Sequence, residues 1–120
     1  MARNYKNIKA WMLAKKFALE IYQKTKNFPK EEVYGITSQI RRAAVSVVAN
    51  IAEGATRQHK KDYLNFLYTS KASLSETECL VGISNELGFL EDEKFKSLDL
   101  LCQDTAKSLY GLIRSVESEL

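Results

Sequence analysis

Glu53, His59 and Asp62 fall within ten residues of one another, and two carboxylates with an imidazole between them are parts from which a hydrolase could be assembled. The assembly stops there, because no nucleophile motif, glycine-rich phosphate loop or paired metal-binding set accompanies them. His59 is the single histidine, and Cys79 and Cys102, the two cysteines, form no CxxC pair, so zinc and dithiol readings lack ligands. The thiols read as buried or inert. Glu76 and Glu78 also fail as a carboxylate pair, since residues two apart on a helix diverge by about 200°. The expectation is a non-enzyme with no cofactor and no metal.

The cations point to a different chemistry. Lys9, Lys15, Lys16, Arg57, Lys60 and Lys61, with Arg3 and Lys6 nearby, could contact phosphates, and Tyr5 and Trp11 could stack on bases. The same lysines suit an ordinary solvated helix surface, and the same aromatics suit core anchors. Residues 1–61 carry 13 Lys/Arg and 4 Asp/Glu, a net +9, whereas residues 62–120 carry 5 and 11, a net −6. Such a division fits a basic surface for RNA or DNA, and equally fits basic and acidic faces meeting between subunits.

A third set is polar and uncharged for the most part. Gln39, Arg42, Ser46, Asn50 and Glu53 recur at spacings of three and four inside the otherwise apolar segment 36–54. With Ile36 at zero on a helical wheel, Ile40, Ala43, Val47 and Ile51 lie within about 60° of it and form a bundle face. Val45, Val48, Ala49 and Ala52 continue the apolar surface from about 120° to 220°, interrupted by Arg41. The polar five occupy a narrow strip between about 240° and 320°. The strip is either a solvated face or a hydrogen-bonding seam, and the second apolar surface calls for a partner, for which a contact between subunits is the candidate. Arg42 is expected opposite Glu76, within reach of an ion pair.

The elements that must position these residues follow from periodicity. Helices are expected over about 7–27, 37–53, 60–87 and 92–117, with Asn7 and Thr37 as N-caps and Gly54 and Gly88 as C-terminal stops. The first has Ala10, Ala14, Phe17, Ala18 and Ile21 on one side, and Pro29 lies beyond its exit. The third, at 1.5 Å per residue, makes a rod of about 42 Å. The fourth carries Phe95, Leu98, Cys102, Thr105, Leu109, Leu112 and Val116 in 3,4 alternation, with Glu91, Asp92 and Glu93 at its positive end. Short connections between long amphipathic helices favour antiparallel neighbours. The fold expected is all-α, one domain spanning 1–120, an up-down four-helix bundle. Forty-five per cent hydrophobic residues, with five Gly and one Pro, agree with a helical globular chain. Neither a signal-peptide core nor an apolar run of membrane-spanning length is visible, so a cytoplasmic location is expected.

The segment YGITSQIRRAAVSVVANIAEG at 34–54, followed by Arg57 and by FLYTSKASLSETE at 66–78, resembles the bacterial four-helix-bundle family of 23S rRNA intervening-sequence proteins. The likeness extends from the Tyr5 to Trp11 entry and FPKEEVYG at 28–35 through GFL at 88–90, and the combination of Ser46, Asn50, Glu53 and Gly54 is its most specific part. The family commonly has proline where this chain has Val48. It is similar in fold to the accessory variability protein of diversity-generating retroelements. The resemblance implies a four-helix protomer, a ring-shaped homopentamer and no established enzyme activity. Through the retroelement relatives it also implies contact with RNA or DNA and with a reverse transcriptase.

Two functions are therefore carried forward. One is a non-enzymatic oligomeric binding protein, contacting nucleic acid or a nucleic-acid enzyme through Lys9, Lys15, Lys16, Arg57, Lys60 and Lys61. The other is a structural or protein-binding bundle, a scaffold or antitoxin-like component, with no nucleic-acid role. In either, Gln39, Arg42, Ser46, Asn50, Glu53, Val45, Val48, Ala49 and Glu76 are the candidates for an interface or polar seam.

Overall fold

The computed structural model, which describes residues 3–120, contains four α-helices: α1 (Lys9–Lys24), α2 (Ile36–Ala55), α3 (Lys60–Glu86) and α4 (Asp92–Glu117). Single 3-10 turns at Tyr5–Asn7 and Lys30–Glu32 precede α1 and α2. There is no strand among the described residues. The fold is the all-α four-helix bundle that the periodicity predicts.

The apolar faces behave as their spacing requires. Ala10, Ala14, Phe17, Ala18 and Ile21 of α1 are buried, and so are Leu98, Cys102, Thr105, Leu109 and Val116 of α4. α1 packs against α2 and α4, and α3 packs against the same two, while the diagonal pairs face one another across the shared core without close backbone approach among the described residues. Every neighbouring pair is antiparallel. Gln39 meets Glu76 while Ser46 meets Ser73, and Tyr68 meets Glu117 while Gln103 meets Glu78, so residue numbers rise on one helix as they fall on the next. The bundle measures 45 × 24 × 19 Å, its long axis close to the roughly 40 Å rise of α3. No helix is long and apolar enough to cross a membrane.

The helix ends depart from expectation, and each departure has a local cause. Asn7 does not cap α1; Asn4 accepts a bond from the Lys6 amide and opens the preceding 3-10 turn, leaving Ile8 at the cap position. α1 stops at Lys24, where the Thr25 hydroxyl donates to the Ile21 carbonyl at 2.8 Å. Thr37 is not the cap of α2 either. It lies buried inside the first turn, and the Glu32 carboxylate accepts from the Ile36 amide at 3.3 Å, placing negative charge at the helix's positive end. Val48 sits within an unbroken α2.

Gly54 is likewise no C-terminal stop. It is buried in the last turn of α2, where an added Cβ would come within 2.7 Å of the Phe66 Cβ and 3.1 Å of Tyr63 Cδ1 on α3. Its role is close approach. Gly88, by contrast, has φ 80° and ends α3 in the left-handed conformation that glycine adopts without strain.

Gly54→Ala should therefore lower stability by about 1–3 kcal/mol in urea unfolding, because backbone and Cβ atoms on both sides must shift. Gly82→Ala and Gly111→Ala, in helix interiors where nothing lies within 4 Å of the added methyl, should instead raise it by about 0.5–1 kcal/mol each.

Candidate functional site

The polar strip of α2 is divided by the bundle. Its inner edge is a seam against α3: the Ser46 and Ser73 hydroxyls lie 2.8 Å apart, and Asn50 Nδ2 donates to the Ser46 carbonyl at 2.8 Å and to its hydroxyl at 3.0 Å. Because Ser46 Oγ accepts from Asn50, its own proton is free to go to Ser73. Ser70 on α3 donates to the Val47 carbonyl at 2.7 Å, a hydroxyl from one helix bonded to the backbone of the other. Gln39 Nε2 reaches Glu76 at 3.4 Å.

The outer edge of the strip faces water. Arg42 is exposed and does not pair with Glu76; it lies about 60° farther around the wheel than Gln39, which takes that carboxylate instead. Glu53 pairs along its own helix with Arg57 at 3.8 Å. Ser73 lies where the sequence puts a partner for the strip; Ser70 has only the 3,4 spacing of Ser70, Ser73 and Thr77 among Leu67, Leu74 and Val81 to mark it as a hydroxyl on a buried face, and Thr77 bonds within α3, to the Ser73 carbonyl.

On the other flank of α2, Val45 is 43% exposed and Ala49 is open to solvent, while Val48 and Ala52 are half-buried, Val48 against the core. α1 adds Met12, Leu19 and Tyr22, 47%, 58% and 40% exposed. The Arg41 guanidinium joins the two helices, lying 4.8 Å from the Tyr22 ring centre and donating to Thr25 Oγ1 at 2.9 Å.

The six candidate cations do not converge. Lys9 and Lys16 line shallow depressions between α1 and α4 that share Asp104, whereas Lys15 turns away over the Trp11 ring at 5.3 Å. Arg57 is over the Phe66 ring at 4.6 Å, and Lys60 lies 3.7 Å from Glu119. The Arg57–Glu53 and Lys60–Glu119 ion pairs are both largely solvent-exposed and hold their cations weakly. Lys61 is exposed beside them at the start of α3. Tyr5 and Trp11 pack edge to face, 5.1 Å between centres, and both are partly buried against the core.

Glu53, His59 and Asp62 are all exposed, at the end of α2, on the turn and at the start of α3. Among the described residues, no group of three or more His, Cys, Asp or Glu side chains is placed to hold a metal ion. Cys102 is buried, and its thiol is pushed up to about 12 by burial first and by Glu78 and Asp99 second. Cys79 is exposed, so the expectation of inert thiols applies to Cys102 alone. Burial also raises the Tyr63 phenol, with Arg3 opposing and Glu119 assisting.

With this geometry in place the comparisons can be read. The family model for the 23S rRNA-intervening sequence protein matches residues 6–111. The chain belongs to that family. A crystal structure of a protein of unknown function from the S23 ribosomal protein family of Bacteroides thetaiotaomicron superposes with a TM-score of 0.77 at 23% identity, covering 87% of this chain and 97% of that one. At that identity the likeness speaks for the fold. No curated protein matches. The seam residues and the turn cations of this 23S rRNA-intervening sequence protein all lie within the matched span.

Two outcomes follow from the geometry. Ser46→Ala should cost about 1–2 kcal/mol of unfolding free energy, since Ser73 and Asn50 lose a half-buried partner, while Arg42→Ala should leave the midpoint unchanged. A thiol reagent at pH 8 should modify Cys79 alone. The raised Cys102 pKa contributes stability that is complete below its unfolded value near 9 and is lost as pH rises through about 12, so unfolding in that window should expose a second reactive thiol.

Proposed function

We propose that this 23S rRNA-intervening sequence protein is a non-enzymatic, self-associating binding protein whose basic surface contacts nucleic acid or a nucleic-acid enzyme such as a reverse transcriptase. The observation that carries the reading is the placement of charge. Lys9, Lys15, Lys16 and Lys61 have no carboxylate within ion-pair distance among the described residues, and the two contacts made by Arg57 and Lys60 are exposed. Cations left in water are available to phosphate, and a polyanion gains by releasing its counterions to bulk when they bind.

Self-association is supported by the outer face of α1 and α2. Met12, Leu19, Tyr22, Val45 and Ala49 leave apolar surface uncovered on the half of the chain, residues 1–61, that carries net +9, while residues 62–120 carry net −6, which suits a head-to-tail contact that closes into a ring. The number five rests on the family resemblance. The same exposed apolar face also favours the second reading, a protein-binding bundle with no nucleic-acid role.

Salt separates the two. Retention of RNA or DNA in gel shifts should fall steeply between low and physiological salt, and neutralising Lys9, Lys15, Lys16, Lys60 and Lys61 together should abolish it with helical content unchanged. A wild type that retains neither nucleic acid even at low salt rejects the nucleic-acid reading. For assembly, Val45→Glu or Ala49→Glu should dissociate the oligomer in sedimentation at tens of micromolar, because a carboxylate buried without a partner costs several kcal/mol. These exposed positions test the contact better than Val48, whose side chain also packs within the protomer.

A further inference from the structure

The connection between α1 and α2 forms an open cavity of about 370 Å³ at the opposite end of the bundle from the Arg57–Lys61 turn. Lys26, Lys30 and Arg41 line it, and no carboxylate does. Among the described residues none of these three cations lies within ion-pair distance of an acidic group; the nearby Glu32 carboxylate is held by the Ile36 amide. Elsewhere in the molecule, Lys24, Arg57, Lys60 and Lys94 each have such a neighbour.

Arg41 is fixed in place. Its Nε donates to Thr25 Oγ1 at 2.9 Å and one Nη donates to the Tyr22 carbonyl at 3.4 Å, which leaves the other Nη free and the fork oriented in advance. Phe28, Pro29 and Val33 supply an apolar wall. Thr37, also on the lining, is only 6% exposed, and its hydroxyl has no partner in the protein. A buried hydroxyl with no bond is rare in a folded chain. Thr37 belongs to the first turn of α2, whose positive end the Glu32 carboxylate already occupies, so the cations alone supply the field in the cavity.

We infer that this cavity is a binding site for a phosphomonoester with a small apolar or aromatic body, its phosphate held by Lys26, Lys30 and Arg41 and its body against Phe28, Pro29 and Val33. Three cations without a carboxylate suit a dianion better than a monoanion, and the apolar wall gives an ester an advantage over inorganic phosphate. The site is independent of the nucleic-acid reading, because none of its residues belongs to the basic surface proposed above. The phosphomonoester comes either from a free small molecule or from the terminal phosphate of a nucleic-acid strand.

Amide chemical-shift titration of the full chain tests this with phenyl phosphate, inorganic phosphate and phenol as probes. Phenyl phosphate should move the amides of residues 25–41 and bind about tenfold more tightly than inorganic phosphate, with phenol moving none. Lys26→Gln with Lys30→Gln, two exposed positions, should weaken binding about tenfold or more without altering the fold. A 5′-phosphorylated oligonucleotide that moves the same amides at lower concentration than phenyl phosphate identifies a strand end as the source, and one that does not identifies a free ester. The inference is overturned if phenyl phosphate at about 10 mM, the weak limit of useful affinity, moves no amide in residues 25–41, or if the Lys26→Gln, Lys30→Gln variant binds it as the wild type does.

Discussion

The close approach of α2 and α3 decides what every other surface of this protein is free to do. Two helices come together there through residues with little or no side chain beyond Cβ: Ala43, Ser46 and Gly54 on one, Ser70 and Ser73 on the other. At that distance hydroxyls replace larger apolar groups as the filling, because a serine can bond the facing helix's backbone, as Ser70 does with Val47. The bonds are individually worth about 1 kcal/mol. Their larger effect is on register, since a shift of one residue would separate Ser70 from the Val47 carbonyl and Ser73 from the Ser46 hydroxyl.

Once the seam has taken the inner edge of the polar strip, the remaining surfaces of α2 and α1 are left without a protomer partner. Val45 and Ala49 look outwards, Met12 and Leu19 do the same on α1, and Lys15 stands among them over Trp11. At the α1–α4 edge Asp104 lies beside Lys9 and Lys16, with Lys107 lining the same depression as Lys9. A flank that is apolar and cationic in the single chain is the surface on which the proposed contact with a second copy would form.

The architecture was legible in the sequence because it depends on periodicity, which survives errors of a few residues. α4 is the clearest instance: seven apolar or small residues in 3,4 alternation predicted the seam that Leu98, Cys102, Thr105, Leu109 and Val116 make. The ends were less legible, because a cap can be supplied from outside the expected position. Glu32, not Thr37, caps the start of α2, one residue earlier at the Ile36 amide, and Gly54 follows a helix-stop pattern while serving as a contact point. Arg42 illustrates a third kind of difficulty. Its charge made it the natural partner for Glu76, yet a rotation of about 60° gives that carboxylate to the neutral Gln39, and sequence spacing alone does not fix rotation to that accuracy. The cavity between α1 and α2 was not legible at all, since Lys26, Lys30 and Arg41 are brought together by the path of a connection that carries no periodic signal.

The central claim is that the outer face of α1 and α2 is covered by another copy of the chain. Hydroxyl-radical labelling of the wild type, read residue by residue at tens of micromolar and again after dilution, tests it without any mutation. The account predicts that Met12, Leu19 and Tyr22 are labelled several-fold more slowly in the concentrated sample, while Tyr34, 97% exposed at the tip of the α1–α2 connection, is labelled at the same rate in both. Equal rates at Met12, Leu19 and Tyr22 in the two samples, matching their exposure in the single protomer, would contradict it.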